Sequence, residues 1–150
     1  MAVSDDRALL QLAKAEAFIG LAEGGIPIGA ALVAGGKVLG AGHNRRVQLG
    51  SPISHGETDA LEVAGRQPAS VYRQSTMVTT LSPCDMCTGA ILLYEIPRVV
   101  IGENRTFMGG EELLRSRGVE VLVLDDAECV AMMEAFIAEH PELWHEDIGE

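Results

Sequence analysis

Apolar positions along this chain fall into blocks whose period changes from helix to strand. Residues 5–23 repeat at helical spacing, with Leu10, Ala13, Ala17 and Leu21 on one face, Ser4 placed as the N-cap and two aspartates in the first turn. Gly24-Gly25 ends that helix. Two apolar runs follow, 28–34 and 38–42, split by Gly35-Gly36-Lys37, and predict a strand hairpin buried on both faces. Helix and strand patterns then interleave: a helix over 56–66, a β-branched strand over 76–81 and a helix over 84–95 that Pro97 interrupts. Short strands over 99–101 and 119–124 and a last amphipathic helix over 127–139 complete the series. This order predicts an α/β fold, a three-layer α/β/α sandwich around a mixed five-stranded sheet. Its first two strands are antiparallel and its later ones are joined by crossover helices.

Composition agrees with that architecture. At 150 residues and 47% hydrophobic the chain suffices for one domain over 1–150, burying about 70% of the surface its unfolded form exposes. No internal repeat or long linker divides it. Three cysteines, two of them in one CxxC, do not form a disulfide framework and point to a reducing cytoplasm. No signal-peptide pattern and no long uncharged apolar run is seen, so no membrane association is expected. Cys129 shares the last helix with Val130, Met133, Phe136 and Ile137 and reads as a buried core thiol.

A formal net charge of −11 disfavours a nucleic-acid partner, which calls for a basic surface. Arg98, Arg105, Arg115 and Arg117 read as solvated charges balancing Glu103, Glu111 and Glu112.

The chemistry concentrates in His55-Gly-Glu57 and Pro83-Cys84-Asp-Met-Cys87. One His and two Cys supply three zinc ligands and leave the fourth position open, whereas a structural site closes with four protein ligands. No second CxxC or His pair is present to close it, and a redox CxxC leaves His55 and Glu57 unexplained. Both halves fall at helix starts, where Cys84 and Cys87 share one side of the first turn and the helix dipole favours thiolate. Glu57 is not needed as a ligand, and it takes the role of proton carrier. Zinc lowers the pKa of a bound water from 15.7 to about 7. Glu57 accepts the water proton, delivers it to a ring nitrogen and then protonates a departing amine. H-x-E with P-C-x-x-C is the pattern of zinc-dependent nucleobase deaminases.

Further segments make the chain resemble one branch of that group, the yeast-type cytosine deaminases. They are Glu23-Gly-Gly-Ile-Pro-Ile-Gly29, Gly42-His-Asn44, His55-Gly-Glu57, Thr79-Thr-Leu-Ser-Pro-Cys-Asp-Met-Cys-Thr-Gly-Ala90, Gly102-Glu-Asn104 and Glu146-Asp-Ile-Gly-Glu150, which span nearly the whole chain. The resemblance implies a cytidine-deaminase-like fold, a homodimer, one Zn2+ per subunit and hydrolysis of a free nucleobase, cytosine, to uracil and ammonia. It also implies pocket roles. Asn44 meets the pyrimidine edge, Gly56 offers its backbone N–H to the ring carbonyl, and Ser82 and Asp147 meet the exocyclic amine. Phe107, Trp144 and Ile148 cover the base, with 141–150 as a tail over the active site.

The residue types suit those roles. An amide at Asn44 pairs a donor with an acceptor. Trp144, the one tryptophan, lies in the last seven residues, where a tail ordered over a pocket would use it to exclude water. Two departures leave the substrate open. Arg45-Arg46-Val47 follows Asn44, and Thr58 follows Glu57 where the yeast-type sequences carry an apolar residue, which puts a polar group beside the pocket. Isocytosine, 5-methylcytosine, creatinine and guanine are alternatives, and a tRNA-adenosine deaminase or a noncatalytic zinc module are readings from other classes.

Overall fold

The computed structural model describes residues 5–150. Asp5 caps the first helix, α1 (Asp6–Ala22), its carboxylate accepting from the Arg7 N–H at 3.0 Å. Ser4, expected as that cap, lies outside the described residues. Leu9, Leu10, Ala13 and Ala17 form the buried face. Leu21, expected on it, is 42% exposed. Over the last turn the contact passes to Gly20, where a Cβ would stand 3.0 Å from the His43 ring, and Leu21 is turned out.

Five strands follow in chain order: β1 (Gly29–Ala34), β2 (Lys37–His43), β3 (Ser75–Leu81), β4 (Arg98–Glu103) and β5 (Glu120–Val123). They form one sheet in the order β2-β1-β3-β4-β5. β1 is antiparallel to both β2 and β3, while β3, β4 and β5 run parallel. The expected mixed five-stranded sheet is therefore present. The hairpin differs in one respect: β1 is buried almost throughout, but β2 is an edge strand whose first residues, Val38 among them, are exposed. An edge strand has a neighbour on one side only.

Short helices α2 (Arg46–Leu49) and α4 (Ala69–Tyr72) lie in the connections around α3 (Gly56–Ala64). Beyond them come α5 (Asp85–Leu93), α6 (Glu111–Ser116), α7 (Ala127–Glu139) and α8 (Pro141–Asp147). Helical periodicity predicts α1, α3, α5 and α7. It does not resolve α2, α4, α6 or α8, each too short to show a repeat. The 141–150 segment, expected as a tail, begins as helix α8 with Pro141 in its first turn, where the missing N–H is harmless.

Strand alternation divides the core. Ala31, Val33, Val78 and Val100 face α1 and the buried thiol of Cys129 on α7. Ala30, Leu32, Met77, Val99 and Ile101 face Ala60 of α3, Ile91 of α5 and Leu114 of α6. A third cluster, Ile26, Ile28, Leu81, Met133, Phe136 and Trp144, gathers where β3 ends and β1 begins, and joins the end of the sheet to α7 and α8.

Arg115 reaches Glu111 at 3.6 Å, as its place in the chain suggests, whereas Arg98 and Arg105 find partners farther away. Arg98 pairs with Asp6 at 2.6 Å and Glu120 at 2.6 Å, and Arg105 pairs with Asp125 at 2.6 Å. Glu103 is instead buried, and it accepts from the backbone N–H groups of Arg105 and Thr106. Glu111, read as a surface acid, is 2% exposed.

Two glycines set the spacing between layers. A Cβ on Gly29 would lie 2.0 Å from the Ala13 carbonyl of α1, and one on Gly40 would lie 2.4 Å from the Ala64 nitrogen of α3. Both neighbours are backbone and cannot rotate away. Gly40→Ala is expected to force α3 off the sheet and to cost about 1–3 kcal/mol. Thermal unfolding should register this as a fall in Tm of several degrees.

Candidate active site

His55 and Cys84 occupy equivalent places. Each is the N-cap of its helix, α3 and α5 respectively, in extended backbone conformation. β3 ends at Leu81, so that Ser82-Pro83 is the turn that delivers Cys84, with Cys87 one helical turn further on. The His55 Nδ1 lies 3.4 Å from Cys84 Sγ and 3.8 Å from Cys87 Sγ. All three donor atoms lie within 4.8 Å of one another. In a tetrahedral zinc site with Zn–N of about 2.0–2.1 Å and Zn–S of about 2.3 Å, nitrogen and sulfur stand about 3.6 Å apart. The donor set and its spacing therefore fit zinc, with Nδ1 as the ligating nitrogen. The other ring nitrogen, Nε2, is 3.2 Å from Asp147 Oδ1, an anchor of the kind that orients a metal-bound imidazole.

Electrostatics of the cluster follow from burial and mutual contact. Cys84 is held down to about 4, first by a hydrogen bond from Cys87 and then, against the cost of burial, by His55. Cys87 is pushed well above the usual thiol range by its bond to the Cys84 thiolate and by burial. Burial lowers the His55 pKa, but the Asp147 and Cys84 contacts outweigh it and lift the value to about 10. Zinc ligation displaces the protons that His55 and Cys87 hold. Glu57, one residue inside the helix that His55 caps, is fully enclosed, and burial followed by the Cys84 charge raises it to about 7. A carboxyl at that value gains and loses a proton with little cost near neutral pH.

A small pocket opens on these groups. His55, Glu57, Cys84, Ser82 and Asp147 form its polar wall, and Phe107, Trp144 and Ile148 cover it. Phe107 and Trp144 meet edge to face, with centroids 5.8 Å apart. Ile28 and Leu81 also line the pocket. Neither was singled out beforehand, although both stand in the segments Ile26-Pro-Ile28 and Leu81-Ser-Pro-Cys84. An apolar residue inside a motif carries no sign of which way it faces.

Asn44 and Gly56 do not line the pocket but sit behind it. Asn44 is fully buried, with Nδ2 donating to Asp147 Oδ1 at 3.0 Å and Oδ1 accepting from the Arg46 N–H at 2.9 Å. Gly56 packs on the Ile28 carbonyl, which would lie 3.2 Å from an added Cβ. Thr58, expected to place a polar group beside the pocket, faces away from it. Its hydroxyl donates to the Ile53 carbonyl at 2.6 Å and accepts from the His55 N–H at 2.9 Å, holding the turn that sets His55. The cause is its position at the start of α3, where hydroxyls bond to free backbone groups.

Three supporting residues are found only in the structure. His43 lies buried between Glu16 at 2.9 Å and Glu23 at 2.8 Å, fixing the strand end from which Asn44 projects. Arg46 bonds the Pro52 carbonyl at 3.0 Å and Glu146 of α8 at 3.1 Å, fastening the covering helix. Glu111 takes the Ser82 hydroxyl at 2.7 Å. Each joins elements far apart in sequence, so no local pattern reveals it.

Residues 3–103 match the description of the cytidine and deoxycytidylate deaminase zinc-binding region. The chain is 54% identical to the cytosine deaminase of Candida albicans, over 97% of this chain and 98% of that one. It is 31% identical to the tRNA-specific adenosine deaminase of Bacillus subtilis, over 78% of this chain and 79% of that one. Among solved structures, the guanine deaminase of Nitrosomonas europaea superposes with a TM-score of 0.76 at 22% identity, over 92% of this chain and 87% of that one. That last likeness shows the fold. Taken with the His55, Cys84 and Cys87 geometry, the sequence matches show that the chain belongs to the cytidine and deoxycytidylate deaminase family and falls with its cytosine deaminases.

Proposed function

We propose that this protein is a zinc-dependent hydrolase that converts cytosine to uracil and ammonia. Residues 1–150 act as one catalytic domain, and 141–150 serve as a tail over the site. The observation that carries the reading is the small pocket in which Glu57 stands beside a His-Cys-Cys zinc site under an aromatic cover. The 54% identity to a cytosine deaminase supports the choice of base.

When bound, zinc supplies a nucleophile at neutral pH by acidifying water. The remaining chemistry belongs to the chain. His55, Cys84 and Cys87 hold the ion, and Asp147 fixes the His55 ring. Glu57, raised to about 7 by burial and the Cys84 charge, takes one proton from the attacking water and transfers it to the ring nitrogen, then takes the proton left on the added hydroxyl and passes it to the leaving amine, so that ammonia departs and the oxygen stays as the new carbonyl. Ser82 and Asp147 receive the exocyclic amine at the polar wall. Asn44 positions Asp147 from behind the pocket wall. Phe107, Trp144 and Ile148 exclude bulk water, which strengthens every polar contact inside.

The aromatic cover and the net charge of −11 favour a free base over a nucleotide in tRNA. No described helix is long and apolar enough to cross a membrane. We place the enzyme in the cytoplasm because its three cysteines are free, as suits a reducing compartment. We also propose a homodimer. Val63 of α3 and Leu93 of α5 are apolar side chains at 55% and 71% exposure, whose burial a second copy would provide.

The zinc-loaded protein is expected to hold one zinc per chain. Offered cytosine, 5-methylcytosine, isocytosine, guanine, adenine, creatinine and cytidine, it should release ammonia fastest from cytosine. No ammonia from any of them would overturn the reading. Glu57→Gln should keep its zinc and lose about 10²–10⁴-fold in kcat; a variant as active as the parent would remove Glu57 from the mechanism. Sedimentation should give twice the chain mass, and Leu93→Glu should shift it to the monomer.

A further inference from the structure

Ser82 is one of two polar groups at the pocket wall that are not zinc ligands or the proton carrier, and its hydrogen bonds are already largely committed. Its Oγ donates to Glu111 Oε2 at 2.7 Å and accepts from the Gly109 N–H at 3.0 Å. A hydroxyl has one hydrogen and two lone pairs. With the hydrogen and one lone pair in use, a single lone pair remains. Glu111 cannot reverse this. It is 2% exposed, and its other oxygen takes the Asn104 amide at 3.2 Å and lies 3.6 Å from the Arg115 guanidinium. Donors thus converge on both oxygens of this buried group, so each is already engaged as an acceptor.

We infer that Glu111 is a specificity-determining residue, one that locks Ser82 as a hydrogen-bond acceptor and so tunes the pocket to an exocyclic amine and against the carbonyl that replaces it. Asp147, the other such group on that wall, is a carboxylate and also accepts. An amine offers two N–H donors to these two acceptors. A carbonyl oxygen in the same place faces two acceptors and gains no bond, and an unmatched buried polar pair costs more than a lost hydrogen bond returns. Glu111 never touches the ligand; it acts through the orientation of one hydroxyl. The consequence is a site that holds substrate and repels product, although the two rings differ by one substituent.

This inference rests on the proposed amine-to-carbonyl reaction, and its test is chosen to fail separately from that reading. In the zinc-loaded enzyme the quantity to measure is the ratio of Ki for uracil to KM for cytosine. Glu111→Ala frees the Ser82 hydrogen to turn toward the pocket, and the ratio is expected to fall roughly tenfold with zinc content unchanged. In a Ser82→Ala background the same substitution should alter the ratio by no more than about twofold, because nothing remains for Glu111 to orient. An unchanged ratio in zinc-loaded Glu111→Ala, or an equal fall without Ser82, overturns the assignment. Should Glu111→Ala fail to fold, neutron diffraction of the deuterated parent holoenzyme decides. A Ser82 deuterium on the line to Glu111 supports the inference, and one directed into the pocket overturns it. That readout requires no turnover, so an enzyme inactive on cytosine would overturn the proposed reaction and leave the Ser82 orientation to be judged by itself.

Discussion

His55 and Cys84 can share an ion only because the helices they cap begin at the same end of one sheet. β3 runs parallel to β4 and ends at Leu81, and β1 runs the other way and begins at Gly29. The antiparallel step between β1 and β3 therefore brings the start of one strand beside the end of the next. α5 leaves from that end, and α3 is packed over β1 and β2 with its own start close by. Gly29 and Gly40 allow the covering helices to approach to backbone contact. The spacing of His55 Nδ1 from the two sulfurs is therefore set by the packing of the two layers.

Burial then sets the chemistry. Cys84 and Glu57 are close neighbours with opposite shifts. The sulfur keeps its charge because Cys87 and His55 donate to it, and the carboxyl loses charge because it is enclosed beside that sulfur. Two acids of ordinary strength thus acquire, through environment alone, the properties that a metal ligand and a proton carrier need. Asp147 joins this centre to the cover: one oxygen meets both His55 and Asn44, and α8, which carries it, is fastened by Arg46 and Glu146. The cover and the metal site are in this way one hydrogen-bonded unit.

Much of this was legible in the linear chain. Helical repeats placed α1, α3, α5 and α7, and the β-branched run Thr76–Thr80 placed β3, because these patterns depend on neighbours within one or two turns. His55, Glu57, Cys84 and Cys87 were recognisable because zinc demands particular atoms and deaminase chemistry demands one further carboxyl. Thr58 was misread for the same local reason: adjacency to Glu57 suggests the pocket, yet successive helical residues point about 100° apart. Glu111 was misread because charge alone suggests solvent, whereas its partners Ser82 and Asn104 come from other loops.

By itself, then, the sequence determined the class of fold and marked out three zinc-type donors with a carboxyl beside them, since each is set by local periodicity or by the donor atoms a reaction requires. Tertiary structure decided how the polar groups in and behind the pocket wall are oriented. It turned Thr58 away, placed Asn44 behind Asp147, enclosed Glu57 and aimed the Ser82 hydroxyl at Glu111. Orientation and protonation depend on contacts between groups tens of residues apart, and those distances exist only once the chain has packed.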